Sequence, residues 1–412
     1  MKQSLLILIM AIAAVIIAAA GFFYYKNLRG IWPAVSPPPE DIVKVIGQNP
    51  VPFPLKLPEG FSISIFAKDL PGARIMAMDK LGNLWVSQTG EGKIALLEIG
   101  EGIVKNKSEI FKNLNNPHGL AFDPQDGFTF YFAEEDKISK ILVYSDERPA
   151  FAKASAGKPE KIADLPSGGG HFTRTLGFGP DNRLYVSIGS SCNVCYEQDN
   201  RRAKIFRMEK DGSDFREYAR GLRNAVFFTW SYIDGKMWTT EMGRDMLGDN
   251  LPPDEINVIE SPSTSSGQNS IPNFGWPICY GKNIHDGNFD KNIYIRDPCT
   301  DKISSHIDIP AHSAPLGLAF VPANSDWPKE YWYNLFVAYH GSWNRSEPTG
   351  YKIVRIKLDN KGNYLGTEDF ITGWLTSNGA LGRPVDILVQ PGGTIYISDD
   401  KAGVIYRVIY KK

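Results

Sequence analysis

The sequence carries no excess of charge of either sign, few cysteines and histidines, and none of the short motifs that announce nucleotide chemistry. Lys and Arg number 45 against 46 Asp and Glu, a net charge of −1, so composition gives no ground for a polyanionic partner such as nucleic acid. No phosphate-binding loop, Rossmann glycine pattern or Gly-x-Ser-x-Gly elbow occurs, which sets aside the chemistries those motifs serve. The four cysteines, Cys192, Cys195, Cys279 and Cys299, lack the paired spacing of a four-ligand zinc site. Around Cys192 and Cys195 there is no βαβ setting of the kind a thioredoxin-like redox motif needs.

What is present divides the chain in three. From Ser4 to Tyr25 no residue is charged; as a helix this run would extend roughly 33 Å, enough to cross a bilayer. It is longer than the apolar core of most cleaved signals, although Ala18-Ala19-Ala20 offers small residues to a peptidase. Residues 1–29 therefore read as a signal anchor or signal peptide. Lys2 on one side and Lys26 with Arg29 on the other do not bias its orientation. Residues 30–56 form a Pro-rich linker, expected to be stiff and extended, with Pro33, Pro37, Pro38, Pro39, Pro50, Pro52 and Pro54. Residues 57–412 are the folded domain, expected outside the cytoplasm. In that compartment an even number of cysteines favours disulfides, most simply Cys192–Cys195 and Cys279–Cys299.

The domain repeats a unit: an apolar strand, a Gly/Asp/Asn turn, a second strand and a third. Six copies start near Arg74, His118, Arg174, Arg223, Leu316 and Arg383. Each is a small antiparallel sheet that cannot bury both faces alone, and six stacked around an axis can. An all-β, six-bladed propeller is the expected fold, with the early strand near Phe61 closing the ring beside the C-terminal strands. All but Leu316 of the six leading residues are basic or can become so. At the channel-lining end of each first strand they would form a cationic funnel for a small polyanion.

His171 follows a glycine run, Gly168-Gly169-Gly170, and precedes an inner strand, so it is expected on a loop at the channel mouth. Histidine titrates near neutrality and can take a proton in a transition state. His118 and His340 are its rivals; His285, His306 and His312 have less context. The loop from Glu241 to Glu255 gathers Asp245, Asp249, Asp254 and Glu255. Such hard oxygen ligands suit Ca²⁺, without the spacing of an EF-hand.

On these residues the chain resembles the glucose/sorbosone dehydrogenases, soluble quinoproteins that use pyrroloquinoline quinone (PQQ) on a six-bladed propeller, and in particular their sorbosone dehydrogenase branch. The matching stretches are Gly189-Ser-Ser-Cys-Asn-Val-Cys195, Ala219-Arg-Gly-Leu-Arg-Asn224, Gly243 to Glu255, Asn273-Phe-Gly-Trp-Pro277, Ala314-Pro-Leu-Gly-Leu318, His340-Gly-Ser-Trp-Asn-Arg345, Gly382-Arg-Pro-Val-Asp386 and Ser398-Asp-Asp400. The resemblance spans about residues 57 to 411 and implies roles. His171 would take the proton of the sugar C1 hydroxyl while hydride passes from C1 to C5 of the quinone. Arg223 and Asn224 would polarise the quinone oxygens, and Arg383 would hold a PQQ carboxylate. Arg345 would stand for the family's cofactor lysine, with His118 and Arg174 completing the cationic surround. Backbone carbonyls at Gly243 and Arg244, with Asp245, would bind Ca²⁺. Where the family has an Asp before the base this chain has Gly170, and where it has a second arginine this chain has Val385. The implied activity is PQQ- and Ca²⁺-dependent oxidation of an aldose or sorbosone, with electrons passed to a quinone or a cytochrome. The alternatives are a Ca²⁺-dependent lactonase-type hydrolase and a non-catalytic binding propeller on a membrane stalk.

Overall fold

The computed structural model describes residues 2–38, 54–145, 148–149, 158–260, 271–323 and 326–411. Residues 39–53 of the expected linker lie outside this set. The apolar run forms the helix Lys2–Asn27. Its segment Leu5–Asn27 is long and apolar enough to cross a membrane, and residues 5–26 of it are exposed.

Six four-stranded antiparallel sheets follow, the expected propeller. The first blade comprises Ala73–Met78, Leu84–Gln88, Lys93–Gly100 and Ile103–Phe111. The second comprises Leu120–Phe122, Thr129–Ala133, Lys137–Leu142 and Glu160–Asp164, and the third Leu176–Phe178, Leu184–Ile188, Lys204–Met208 and Arg216–Arg220. The fourth comprises Ala225–Trp230, Met237–Glu241, Asp254–Ile259 and Ile307–Ile309, and the fifth Pro315–Phe320, Leu335–Tyr339, Lys352–Leu358 and Tyr364–Ile371. The last takes Pro384–Val389, Ile395–Asp399 and Val404–Tyr410 from the C-terminus and its outer strand, Phe61–Ala67, from the N-terminal side. That outer strand pairs antiparallel with Val404–Tyr410, Phe61 opposite Tyr410, and the ring closes as the early strand suggested.

The second strands explain the hydrophobic runs. Leu84–Gln88, Leu184–Ile188, Leu335–Tyr339 and Ile395–Asp399 are buried at every position, because neighbouring blades cover both faces. Apolar clusters lie between blades; one packs Trp85, Phe130, Phe132, Trp238, Leu318 and Val337. The innermost strands of four blades carry a bulge between their first and fourth residues, at Ala73/Met76, Ala225/Phe228, Pro315/Leu318 and Pro384/Ile387. A bulge turns the strand end off the sheet, so the residues just before and inside it, including Arg74, Arg223 and Arg383, leave the regular pleat where the mouth loops begin. Both expected disulfides are present, Cys192–Cys195 and Cys279–Cys299.

The chain departs from an extended spacer at residues 30–36. Trp32–Val35 is a short helix, and Gly30, Pro33 and Ser36 are buried. Proline here opens a helix, at the position where its missing N–H is no loss.

Candidate active site

The loops after the glycine run, after Glu241 and after Tyr339 surround a cavity of 310 Å³. It is lined by Gly170, His171, Arg223, Met242, Gly243, Asp245, Asp254, His312, Ala314, Trp343 and Asn344. His171 is held there by its own blade. Gly170 N donates to Ser191 O at 2.6 Å, while the buried Arg202 caps carbonyls of Gly168 and Gly189. The ring Nδ1 lies 2.8 Å from Ser190 O and 2.9 Å from Ser190 Oγ. A carbonyl oxygen only accepts, so Nδ1 carries the hydrogen and Nε2 keeps its lone pair. Ser190 Oγ passes its own hydrogen to Cys192 O at 2.8 Å. The orienting partner is thus Ser190, on the strand-to-loop junction of the same blade, where the family pattern would have put an Asp before the histidine. Burial, helped by the charge of Arg223, pushes the His171 pKa down to about 3, so the ring is neutral at ordinary pH.

Arg223 stands beside it and is fully engaged. Nε donates to Asn193 O at 2.8 Å, Nη2 to Asn193 Oδ1 at 3.0 Å, and Nη1 to Met242 O at 3.2 Å and Gly243 O at 3.0 Å. Asp245 Oδ2 is 3.4 Å away. Asn193 also accepts from Asp245 N at 2.7 Å and donates to Asp245 O at 3.1 Å. The small loop closed by Cys192–Cys195 therefore sets both an arginine and a carboxylate of the cavity. Nothing singled out Asn193 in the sequence except its place between two cysteines.

The expected metal residues separate. Gly243 is pinned by Asp254, whose Oδ1 accepts from Gly243 N at 2.9 Å and whose Oδ2 accepts from Ala314 N; burial raises the Asp254 carboxyl to about 7. Asp245 lines the cavity, its Oδ1 accepting from Asn344 Nδ2 at 2.9 Å. The Arg244 side chain turns away to Asp286, 2.8 Å off. Oxygen donors at Gly243, Asp245 and Asp254 make a hard donor set of the type calcium takes. A cluster of Cys192, Cys195 and Glu197 also comes together, but its sulfurs are joined in a disulfide.

The remaining cationic residues lie near the axis without forming an open funnel. Arg74 Nη1 and His340 Nε2 both reach Asp400, at 3.0 and 2.9 Å. Burial opposes the charge on Asp400, but His340, Arg74 and Arg383 outweigh it and hold the carboxyl well below the usual range. Arg383 donates to the carbonyls of His340 and Gly341. Arg174 is wholly buried, its guanidinium spent on carbonyls of Glu135, Thr173 and Pro166. His118 is buried between Phe172 and Phe227, its pKa pushed far down by burial. Arg345 clamps Asp249 O and Ala311 O. Of the expected cofactor residues, Arg223 reaches the cavity wall, and Asn224 lies behind His171, its Oδ1 buried without a partner. His118, Arg174, Arg345 and Arg383 are not among the lining residues. Asp254, His312, Trp343 and Asn344 are, and the family pattern had given none of them a role.

Known proteins share this fold. The propeller of the calcium structure of the Trichoderma reesei carbohydrate-active enzyme of family AA12 superposes with a TM-score of 0.74 at 20% identity, covering 88% of this chain and 98% of that one. The holo PQQ domain of Coprinopsis cinerea pyranose dehydrogenase gives 0.70 at 22% identity, over 87% and 97%. In sequence, the chain is 34% identical to an uncharacterized protein of Borreliella burgdorferi, over 87% of this chain and 91% of that protein. It is 24% identical to the PQQ-dependent pyranose dehydrogenase of Coprinopsis cinerea, over 86% of this chain but only 54% of the fungal enzyme. The fold is the six-bladed propeller, shared with proteins that include a PQQ-dependent pyranose dehydrogenase. Within that fold the chain belongs to the TrAA12-like family, whose model it matches over residues 55–412.

Proposed function

We propose that this protein oxidises a sugar at C1, with PQQ and Ca²⁺ held in the cavity and His171 as the general base. The observation that carries the reading is the tautomer of His171. Its Nδ1–H is bound to Ser190 O, so the lone pair at Nε2 is free on a ring that lines the cavity. That is the form needed to take a hydroxyl proton. A neutral imidazole also suits a site where Arg223 keeps positive charge, since a second cation would weaken both.

The cavity volume lies at the lower end of the range of small-molecule sites. On the cavity wall Asn344 Oδ1 is a buried acceptor without a partner, open to a ligand's N–H or O–H or to a cation. The Gly243 carbonyl and the Asp245 carboxylate would hold Ca²⁺. PQQ, when bound, supplies a quinone carbon that accepts the hydride from C1. Arg223, with Asn224, stabilises negative charge that develops on the oxygens facing it. Trp343 forms part of one wall. Two disulfides and a membrane-length helix support a location outside the cytoplasm, where electrons would leave to a quinone or a cytochrome.

The test uses the full chain with Ca²⁺ and PQQ, and reads dye reduction over a panel of aldoses and sorbosone. PQQ-dependent reduction that His171→Ala abolishes while PQQ stays bound is the expected result. No spectral change on adding PQQ, or lactone hydrolysis without it, would overturn the reading.

A further inference from the structure

The apolar helix does not end in free chain. Leu28 N donates to Tyr24 O at 2.8 Å and Ile31 N to Leu28 O at 3.0 Å, so a hydrogen-bonded turn joins Asn27 to the short helix Trp32–Val35. Along this segment Asn27, Gly30, Pro33 and Ser36 are buried. Buried residues recur every third position, while Trp32 and Val35 between them are exposed at 64% and 61%. The segment is seated on the propeller at Gly30, at Ser36 and along the short helix. A β-carbon on Gly30 would lie 2.0 Å from Arg345 O and 2.9 Å from Ser346 O, so only glycine fits. Lys401 Nζ donates to Ser36 O, and the short helix packs on Gly379–Ala380.

Arg345 directly follows Trp343 and Asn344 of the cavity wall. The helix therefore leaves the propeller at the edge of the cavity mouth. The same rim exposes Met246, Leu251 and Trp343. At its propeller end the helix carries exposed Phe22, Phe23, Tyr24 and Tyr25, followed by Lys26 and Arg29, the composition that settles at a membrane–water interface.

We infer that the cavity mouth faces the membrane surface at close range, with Trp32, Val35, Met246, Leu251 and Trp343 resting in the lipid headgroup layer. The occupant of this rim is the bilayer that the helix crosses. The docked segment, joined to the helix by a short hydrogen-bonded turn, fixes the tilt that a free linker would leave open. Small solutes then reach the cavity from the side, through the water layer, and a bulky soluble protein is held off. Where the oxidoreductase reading above also holds, an electron acceptor dissolved in the lipid is favoured over a soluble one.

The orientation can be measured without any activity. All four cysteines are in disulfides, so one introduced cysteine takes a fluorophore specifically. Leu251→Cys labels the mouth. Lys361→Cys labels the opposite end, because the strand Lys352–Leu358 starts beside Tyr339 and runs away from the mouth. The full chain is reconstituted in phosphatidylcholine/phosphatidylglycerol vesicles carrying a headgroup-nitroxide lipid. The label at 251 loses most of its fluorescence and the label at 361 keeps its own. Gly30→Leu, or the milder Lys401→Ala, removes the difference, with the thermal transition of the propeller as the check on folding. Equal quenching of the two labels in the parent overturns the proposal, as does an asymmetry that survives both variants. Release of the propeller from the vesicles by loss of the helix, or an unquenched mouth label on a self-associating chain, overturns it as well.

Discussion

Replacing Asn193 by alanine tests whether the disulfide loop sets the cavity. The substitution removes an acceptor from Arg223 Nη2 (3.0 Å), an acceptor from Asp245 N (2.7 Å) and a donor to Asp245 O (3.1 Å). A hydrogen bond to a charged group is worth about 1.5–3 kcal/mol and a neutral one about 1 kcal/mol. The three bonds sum to about 3.5–5 kcal/mol, but Arg223 retains the Asn193, Met242 and Gly243 carbonyls and water can replace part of the bonding at Asp245, so the net loss falls below that sum, at about 2–3 kcal/mol. Urea denaturation should show a lower midpoint with an unchanged slope. With one of its two side-chain anchors gone, Arg223 should lose its aim. A misplacement worth about 1.4–2.8 kcal/mol in the transition state is a ten- to hundredfold loss of turnover. Val194→Ala, in the same loop but outside these bonds, should leave both measurements near the parent. Parent-like stability and turnover in Asn193→Ala, or equal damage from Val194→Ala, would refute the assignment.

Three further outcomes follow from the same structure. Burial drives His171 from an ordinary 6.5 to about 3, so between those values the unfolded chain binds a proton that the folded one refuses. The contribution is whole above 6.5 and lost as pH falls toward 3; acidification should therefore cost the parent more stability than His171→Ala, and parallel pH curves would count against it. Phe61 meets Trp327, Tyr331, Phe370 and Tyr410 at 4.6, 5.1, 5.0 and 5.0 Å between ring centroids. Phe61→Ala should cost about 3 kcal/mol in denaturant titration, since it strips the strand that closes the ring. Removing Cys279–Cys299, which bridges a separation of 20 residues, should lower stability by about 3 kcal/mol, read as a drop in melting temperature of the double serine variant.

The fold was legible because each blade repeats the same need to bury two faces, and that need writes itself as apolar runs between turn residues at regular intervals. Ring closure followed from the one early strand, Phe61–Ala67, that had no blade of its own. The cavity was only half legible. His171 stood out because a glycine run delivers a titratable side chain, and Arg223 because it opens an inner strand. Arg174 and Arg383 fit the same description, yet their guanidinium groups are spent on backbone carbonyls, and a carbonyl leaves no mark on a sequence. Arg74 and His340 share Asp400, which lies at the end of another blade, so no local pattern tied acid to bases. Ser190 was passed over because the expected orienting group was sought beside His171 in the chain, whereas the one that binds it comes up the neighbouring strand.

The pairing of Phe61 with Tyr410 has a bearing on how the protein is made. The closing strand is synthesised first and its partner last, so the domain depends on a contact spanning nearly its whole length, the kind that forms slowly. Until Val404–Tyr410 emerges, the ring is a horseshoe with an unpaired strand edge at each end, open to pairing with another chain. A chain cut short of Val404 would be a propeller that cannot shut, exposed at both edges, instead of a smaller propeller.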